Sequence, residues 1–262
     1  MLRGCATLMH MIHREDRNGV AVLRMEHGKV SALDLELLVG LGEQFAGLRR
    51  ESVRSVVLTG TGSSFSAGVH LFRVLQGRKE YLKVFLPALE LLLREVFQFP
   101  RPVVAAVNGH AIAGGCVMVC ACDYRIMAEG NGRIGVTELL VGVPFPALPL
   151  EIMRACVAPQ HFQSLVYTGR TCLPAEALTV GLVDELTAPE TLMDRAFEVG
   201  KRLAGISPHA FELTKFQVRR DAIDRATCYS SKDHDADVAE TWAAPETHQV
   251  IDTYLKRTIG KK

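Results

Sequence analysis

The sequence carries almost no net charge. Its 262 residues include 30 Lys and Arg against 29 Asp and Glu. Proteins that bind nucleic acid or an anionic membrane surface normally present an excess of basic residues. The composition therefore argues against both kinds of partner, and any anionic ligand must be bound by a local arrangement of residues.

An unbroken apolar run long enough to cross a membrane is also missing. The most apolar stretch, residues 105–121, is interrupted by Asn108, Gly109, His110 and the pair at 114–115, whereas a membrane span needs about 20 consecutive apolar residues. We therefore expect no transmembrane helix. The chain shows no secretory signal pattern, so we expect a cytoplasmic location.

Cysteines in a paired, disulfide-forming pattern are absent as well. The seven cysteines are an odd number, which favours reduced thiols. Cys116, Cys120 and Cys122 lie close together, but metal sites favour C-x2-C pairs on turns, and in an apolar run free cysteine packs as a small hydrophobic residue. We expect no metal site.

What the sequence does contain is an alternation of strand and helix patterns. Apolar, β-branched segments predict strands, and apolar residues at helical spacing predict helices. The predicted strands are 19–24, 55–60, 103–107 and 124–128, and the predicted helices are 32–48, 82–97, 116–121 and 148–156. Continuous apolar strands that alternate with helices are typical of α/β proteins. Because the later sequence is polar and mostly helical in pattern, we predict a core at 1–200 and a helical region at 201–262.

Two glycine-containing loops each follow a predicted strand. Gly114 and Gly115 precede a predicted helix, whose first N–H groups are unpaired and carry partial positive charge. Close packing explains such a pair equally well when it stands alone. A second loop, GSSFSAGVH at 62–70, follows the strand at 55–60. If the loops converge, one N–H from each can bind a single oxygen, which is how an oxyanion hole is built.

Longer motifs resemble one family. They are FSAGVH at 65–70, RPVVAAVNGHAIAGGC at 101–116, CDYRIMA at 122–128 and TGRTCLPAEALTVGLVDEL at 168–186. Together they resemble the crotonase superfamily, the enoyl-CoA hydratases and isomerases. The resemblance implies an α/β spiral of strand-strand-helix repeats and a C-terminal helical trimerisation region. It also implies a homotrimer or hexamer and an acyl-CoA thioester as substrate, so that CoA is part of the substrate and no separate cofactor is needed.

The resemblance also assigns roles to individual residues. It implies that the N–H groups of Val69 and Gly114 form the oxyanion hole and that Glu138 is the catalytic base. Contacts to CoA are implied for three residues, Lys29, Ala32 and Ala67, the last through its main chain to the adenine. The chain departs from the family pattern at Ala113, which replaces the first glycine of a triplet, and at His70, which replaces an aspartate and is interpreted as a structural substitution near a helix start.

The reaction is predicted from a third departure from the family pattern. Hydratases of the family use two glutamates, and the first of these positions holds Val117 here. One carboxylate suffices to move a proton from C2 to C4, so the pattern favours an enoyl-CoA isomerase. The apolar segment PFPALP at 144–149 is expected to keep water out. A hydratase or another acyl-CoA enzyme, such as a thioesterase, and a non-catalytic CoA-ester binder remain the alternatives.

Overall fold

The computed structural model describes residues 11–230 and 234–259. Within these residues the chain forms ten α-helices and ten strands. The strands are β1 Ile12–Arg17, β2 Val20–Met25, β3 Ser55–Thr59, β4 Ser64–Ser66, β5 Val103–Val107, β6 His110–Ile112, β7 Tyr124–Ala128, β8 Ile134–Gly135, β9 Thr171–Cys172 and β10 Glu185–Thr187. The helices are α1 Leu35–Arg50, α2 Leu71–Phe97, α3 Gly114–Ala121, α4 Ala147–Cys156, α5 Pro159–Thr168, α6 Pro174–Val180, α7 Leu192–Ala204, α8 Pro208–Ser230, α9 His234–Ala243 and α10 Pro245–Ile259.

The larger sheet has six strands in the order β1-β2-β3-β5-β7-β10. β1 and β2 are antiparallel, and the remaining pairs are parallel. Side chains of β3 alternate between two cores, since Val56 and Leu58 belong to the main core and Val57 packs with α7 on the opposite face. Both faces are thus covered, and the chain is an α/β protein, as the sequence predicts.

The smaller sheet brings three loops together. Its order is β4-β6-β8-β9, and β4, β6 and β8 are parallel neighbours. The carboxyl ends of parallel neighbours lie at the same edge of a sheet. The residues that follow these three strands, 67–69, 113–114 and 137–138, therefore meet at one edge.

Most predicted elements are present, with small differences at their ends. Asp34 caps α1, because its Oδ1 accepts a hydrogen bond of 3.0 Å from the Leu37 N–H. The predicted start of α2 at residue 82 is wrong, because the helix begins at Leu71. The helix is interrupted at Arg78, where φ is 46° and ψ is −138°, and the predicted helix covers only the part after this break.

The chain after residue 200 is helical in the described residues, as its pattern predicts. α8 is joined to the core by a buried carboxylate, Asp123, which lies 2.7 Å from Lys215 Nζ and 2.8 Å from an Arg219 nitrogen. Burial lowers the pKa of Lys215 to about 8. α9 and α10 then pack against α2 of the same chain. The division into units at residue 200 stays a prediction.

Candidate active site

Glu138 opens a short 3-10 helix, Glu138–Val141, directly after β8. The turn ends at Gly142, whose φ of 77° suits glycine. Glu138 is only 8% exposed. A carboxyl group is thus held inside the protein by a strand end on one side and a tight turn on the other.

The environment of Glu138 favours its protonated form. Burial raises the pKa of its carboxyl group to about 7, although the backbone N–H groups of Glu138 and Thr137 act in the opposite direction. Its Oε2 has no hydrogen-bond partner among the described residues. A carboxyl group with a pKa near neutrality and a free oxygen is suited to accept and return a proton.

Glu138 lines a small, mostly apolar cavity of about 60 Å³. The other lining residues come from all three strand ends and from the C-terminal helices: Ala67, Val69, Leu71, Ile112, Ala113, Thr137, Val141, Val143, Trp242 and Tyr254. Glu138 is the single carboxylate in this described set. The cavity therefore offers one acid–base group in a low-dielectric setting.

Val69 lies beside the cavity with its N–H directed away from its strand partner. It forms an isolated parallel bridge with Leu33. The two hydrogen bonds of that bridge involve the residues on either side of Val69. The Leu33 N–H donates to the Gly68 carbonyl, and the His70 N–H donates to the Leu33 carbonyl. In a parallel pairing of this kind, the N–H of the bridged residue points to the opposite side.

Gly114 is the first residue of α3, where backbone N–H groups have no partner within the helix. The Val69 and Gly114 segments touch: a Cβ placed on Gly68 would lie 3.3 Å from the Gly114 nitrogen, and one on Gly114 would lie 3.8 Å from a Val69 methyl. The two glycine loops thus converge, and Val69 and Gly114 are brought together as the sequence suggests. Gly114 itself does not line the cavity, whereas Ala113 does.

Ala113 has an unusual backbone conformation for a residue with a side chain. Its φ is 52° and its ψ is −125°. Such values favour glycine and cost other residues about 1–3 kcal/mol. The alanine at the position of the missing glycine is therefore strained at the wall of the cavity.

Val117 is buried in the core on α3 and is not among the residues that line the cavity. No second carboxylate from the described chain replaces it there. Phe145, in the segment 144–149 that is expected to keep water out, packs against the main core and does not line the cavity. The shielding residues are Val143, Trp242 and Tyr254, and the Trp242 Nε1–H donates a 2.9 Å hydrogen bond to the Pro144 carbonyl.

A second, larger space of about 810 Å³ adjoins this region. It is lined by Met11, His27, Gly28, Lys29, Val30, Ala32, Asp34, Leu35, Glu36, Val39, His70 and Arg73. Lys29 and Ala32 therefore lie in this groove, whereas Ala67 lies in the small cavity. Because Val69 lines one space and His70 the other, this segment forms the boundary between them.

The groove can accept a ligand with negative charge. Lys29 is exposed and makes no ion pair with another described residue. Arg73 pairs with Glu36, and His27 lies 2.7 Å from Asp34. His70 stands at the start of α2 without capping it through its side chain. Its imidazole is a groove residue rather than a helix cap.

Sequence reasoning missed the contribution of the C-terminal helices to the site. Trp242 on α9 and Tyr254 on α10 line the small cavity. The one signal in the sequence is that Trp242 is the only tryptophan of the chain. Its hydrogen-bond partner Pro144 is so distant in sequence that no local pattern predicts the contact.

A family model described as enoyl-CoA hydratase/isomerase matches residues 15–257 of this chain. The chain belongs to the enoyl-CoA hydratase/isomerase family. The match spans most of the chain, and the chain is therefore an enzyme of this family.

Individual relatives of the family carry two kinds of name. The chain is 31% identical over 249 residues to "Enoyl-CoA delta isomerase 1, mitochondrial" of Homo sapiens, which covers 93% of this chain and 82% of the relative. It is 32% identical over 232 residues to "Short-chain-enoyl-CoA hydratase" of Clostridium acetobutylicum, covering 83% of this chain and 85% of the relative. Isomerase and hydratase names are thus similarly close.

Among solved structures, human mitochondrial delta3-delta2-enoyl-CoA isomerase is similar to this chain with a TM-score of 0.90 and 28% identity. The match covers 96% of this chain and 99% of that structure. The crotonase fold predicted from the motifs is confirmed, including the presence of helices at the C-terminal end.

Proposed function

We propose that this family member is an enoyl-CoA isomerase that moves a carbon–carbon double bond from the 3,4 to the 2,3 position. The observation that carries the proposal is Glu138: it is the single carboxylate among the described residues of the small cavity, with a pKa raised by burial to about 7. The substrate is an acyl-CoA thioester, and CoA belongs to the substrate.

The chemistry requires one base and two donors. The Glu138 carboxylate removes a proton from C2, and the electrons move to the thioester oxygen to give an enolate. The N–H groups of Val69 and Gly114 stabilise that oxygen, because preorganised donors bind a developing charge more strongly than a neutral carbonyl. The Glu138 carboxylic acid then delivers the proton to C4, and the base is regenerated.

The groove is suited to the CoA portion. Lys29 supplies an unpaired cation for a phosphate, and the segment with Ala32 forms the adjoining wall. A contact of the Ala67 main chain with the adenine requires that the bound CoA folds back toward the small cavity, which Ala67 lines. This arrangement leads the thioester across the boundary formed by Val69 and His70, toward Glu138.

Hydration of the double bond is the second candidate, because a named hydratase is as similar to the chain as a named isomerase. It needs one group to activate water and another to deliver a proton. Val117 offers neither, and apolar residues surround Glu138. A protein that only binds CoA esters has no use for a buried carboxyl group, which costs stability when ionised.

The assembly and location remain part of the proposal. The family resemblance favours a homotrimer or a hexamer, and we propose a cytoplasmic location. In the described residues no helix is both long and apolar enough to cross a bilayer.

The test is turnover of 3-enoyl-CoA and 2-enoyl-CoA esters, followed by the absorbance of the conjugated thioester. Glu138→Gln should lower isomerisation by roughly 10²–10⁴-fold, because it deletes the base and preserves the shape of the side chain. Affinity for a CoA ester should stay within a few-fold. In the wild-type enzyme kcat/KM should fall as the pH drops through about 7, since the base must be ionised.

Glu129→Gln is the matched control, because Glu129 is exposed and lies outside both spaces. It should retain wild-type turnover. Full activity of Glu138→Gln would refute the base assignment. Faster hydration of 2-enoyl-CoA than isomerisation of 3-enoyl-CoA would establish the hydratase alternative, and binding without either reaction would establish the non-catalytic one.

A further inference from the structure

A third space lies beyond the small cavity, between the same two helices. It has a volume of about 390 Å³ and is lined by Leu75, Arg78, Pro245, His248, Gln249 and Asp252. Leu71 of α2 lines the small cavity, and Leu75, four residues later, lines this one. Residues four apart share a helix face. The two spaces therefore follow one another along α2, and α10 forms the opposite wall of each.

Arg78 places a cation in this distal space through a strained backbone. Its φ of 46° and ψ of −138° interrupt α2. A conformation of this kind persists only where the surrounding structure maintains it, and it occurs preferentially at functional positions. The Arg78 guanidinium makes no ion pair or hydrogen bond with any other described residue. An exposed, unpaired cation thus lies at the opening of the distal space.

The other polar groups of the distal space leave that cation uncompensated. Asp252 is the single carboxylate among its described lining residues, and it lies 2.5 Å from Lys256 Nζ, one helical turn away. His248 Nε2 is buried without a hydrogen-bond partner. In one neutral tautomer, and when protonated, this nitrogen is a donor. Arg78 and His248 therefore both offer donors without a described acceptor.

We propose that the distal space binds the far end of an acyl chain that carries a terminal carboxylate, with Arg78 and His248 as its partners. The inference rests on the enoyl-CoA function proposed above, because the small cavity must hold the thioester end. Seven helical residues from Leu71 to Arg78 span about 10 Å. The substrate class is therefore medium-chain acyl-CoA esters with a carboxylate in place of the terminal methyl group.

Isothermal titration of saturated esters tests the inference without depending on turnover. The probes are octanoyl-CoA and its analogue in which the terminal methyl is a carboxylate. The wild-type protein should bind the carboxylate analogue about tenfold more tightly, the effect expected of hydrogen bonds to charged groups. Arg78→Met should abolish this preference, and Arg78→Lys should restore part of it.

Lys79→Met is the matched control, because Lys79 is the neighbouring exposed cation on α2 and does not line the distal space. It should keep the wild-type preference. An equal loss in Arg78→Met and Lys79→Met would reveal a general charge effect and overturn the inference. Equal affinity of the wild-type protein for both esters would also overturn it.

The same titrations separate this inference from the proposed function. If neither ester binds, both proposals fail. If both esters bind without preference, the inference alone fails. If the carboxylate analogue is preferred and 3-enoyl-CoA esters are not isomerised, the distal site is established and the isomerase proposal fails.

Discussion

At the scale of single residues, Glu138 links catalysis to a cost in stability. Its folded-state pKa of about 7 lies above the ordinary value of 4.5, so the folded protein holds this proton more tightly than the unfolded chain does. The stabilisation from this proton is complete below pH 4.5 and is lost as the pH rises to about 7. At pH 8 the buried carboxylate therefore opposes folding.

Glu138→Gln should remove this pH-dependent loss of folding stability. Between pH 5 and pH 8 the stability of the variant relative to wild type should rise by about 2–3 kcal/mol, the free-energy equivalent of that part of the pKa shift. Urea unfolding at the two pH values measures the difference. Glu129→Gln, at an exposed position, should show no such trend, and a Glu138→Gln difference that does not change with pH would contradict the raised pKa.

Ala113 leads to a prediction about backbone strain, in which removal of a side chain stabilises the folded protein. Its φ of 52° and ψ of −125° suit glycine. Ala113→Gly should relieve the strain and raise the free energy of unfolding by about 1 kcal/mol, the strain exceeding the added entropy of the unfolded chain. Thermal unfolding measures the change.

Ala111→Gly is its matched control, since Ala111 is buried in β6 with an ordinary strand conformation. That variant should be less stable than wild type, because it loses a buried methyl group and gains unfolded-state entropy. If both variants are destabilised alike, the backbone at Ala113 is not strained.

At the scale of secondary-structure elements, α9 closes the site with the only tryptophan of the chain. Trp242 is 2% exposed and lines the cavity that holds Glu138. The fluorescence of Trp242 should therefore change when an acyl group enters the cavity, because the acyl group alters the polarity around the indole ring. Titration with octanoyl-CoA should change the fluorescence intensity in proportion to the occupied sites.

Free CoA is the control ligand for this experiment, since it lacks an acyl group and should occupy the groove alone. It should leave the Trp242 emission nearly unchanged. If calorimetry detects binding of octanoyl-CoA while the Trp242 fluorescence stays unchanged, the acyl group lies away from Trp242. That result would contradict the proposed role of the small cavity.

At the scale of the whole molecule, α8 presents apolar side chains to its surroundings. Leu213, Phe216 and Val218 are exposed, and Val218 is 74% exposed. Leu213 and Phe216 lie three residues apart on one helix face, and an exposed apolar patch marks a surface that another protein covers. We therefore expect α8 to contribute to contacts between copies of the chain in the proposed trimer.

Light scattering at micromolar concentration should show at least a trimer. Val218→Asp should reduce the mass without altering the circular dichroism spectrum, because it places a charge in the contact and not in the core. Val39→Asp, at another exposed position on α1, should leave the mass unchanged. A wild-type monomer would contradict the predicted assembly.

The sequence by itself determined the α/β class and the helix that follows the glycine pair at 114–115, and its family resemblance pointed to the glutamate at position 138. Each of these depends on residues that lie near one another along the chain. The strand and helix periods indicate the class, the glycine pair before an apolar run indicates the helix, and a motif of neighbouring residues contains the glutamate. The sequence offers both Ser31 and Asp34 as caps for the first helix, and the structure shows Asp34 in that role.

Only the tertiary structure decided what surrounds Glu138. The parallel pairing of β4, β6 and β8 brings Val69, Gly114 and Glu138 to one edge, and α9 and α10 return over that edge with Trp242 and Tyr254. Such contacts join residues far apart in the chain, so no local period encodes them. The pKa of Glu138 follows from that burial, since its carboxyl group loses solvation only when all of these elements close around it.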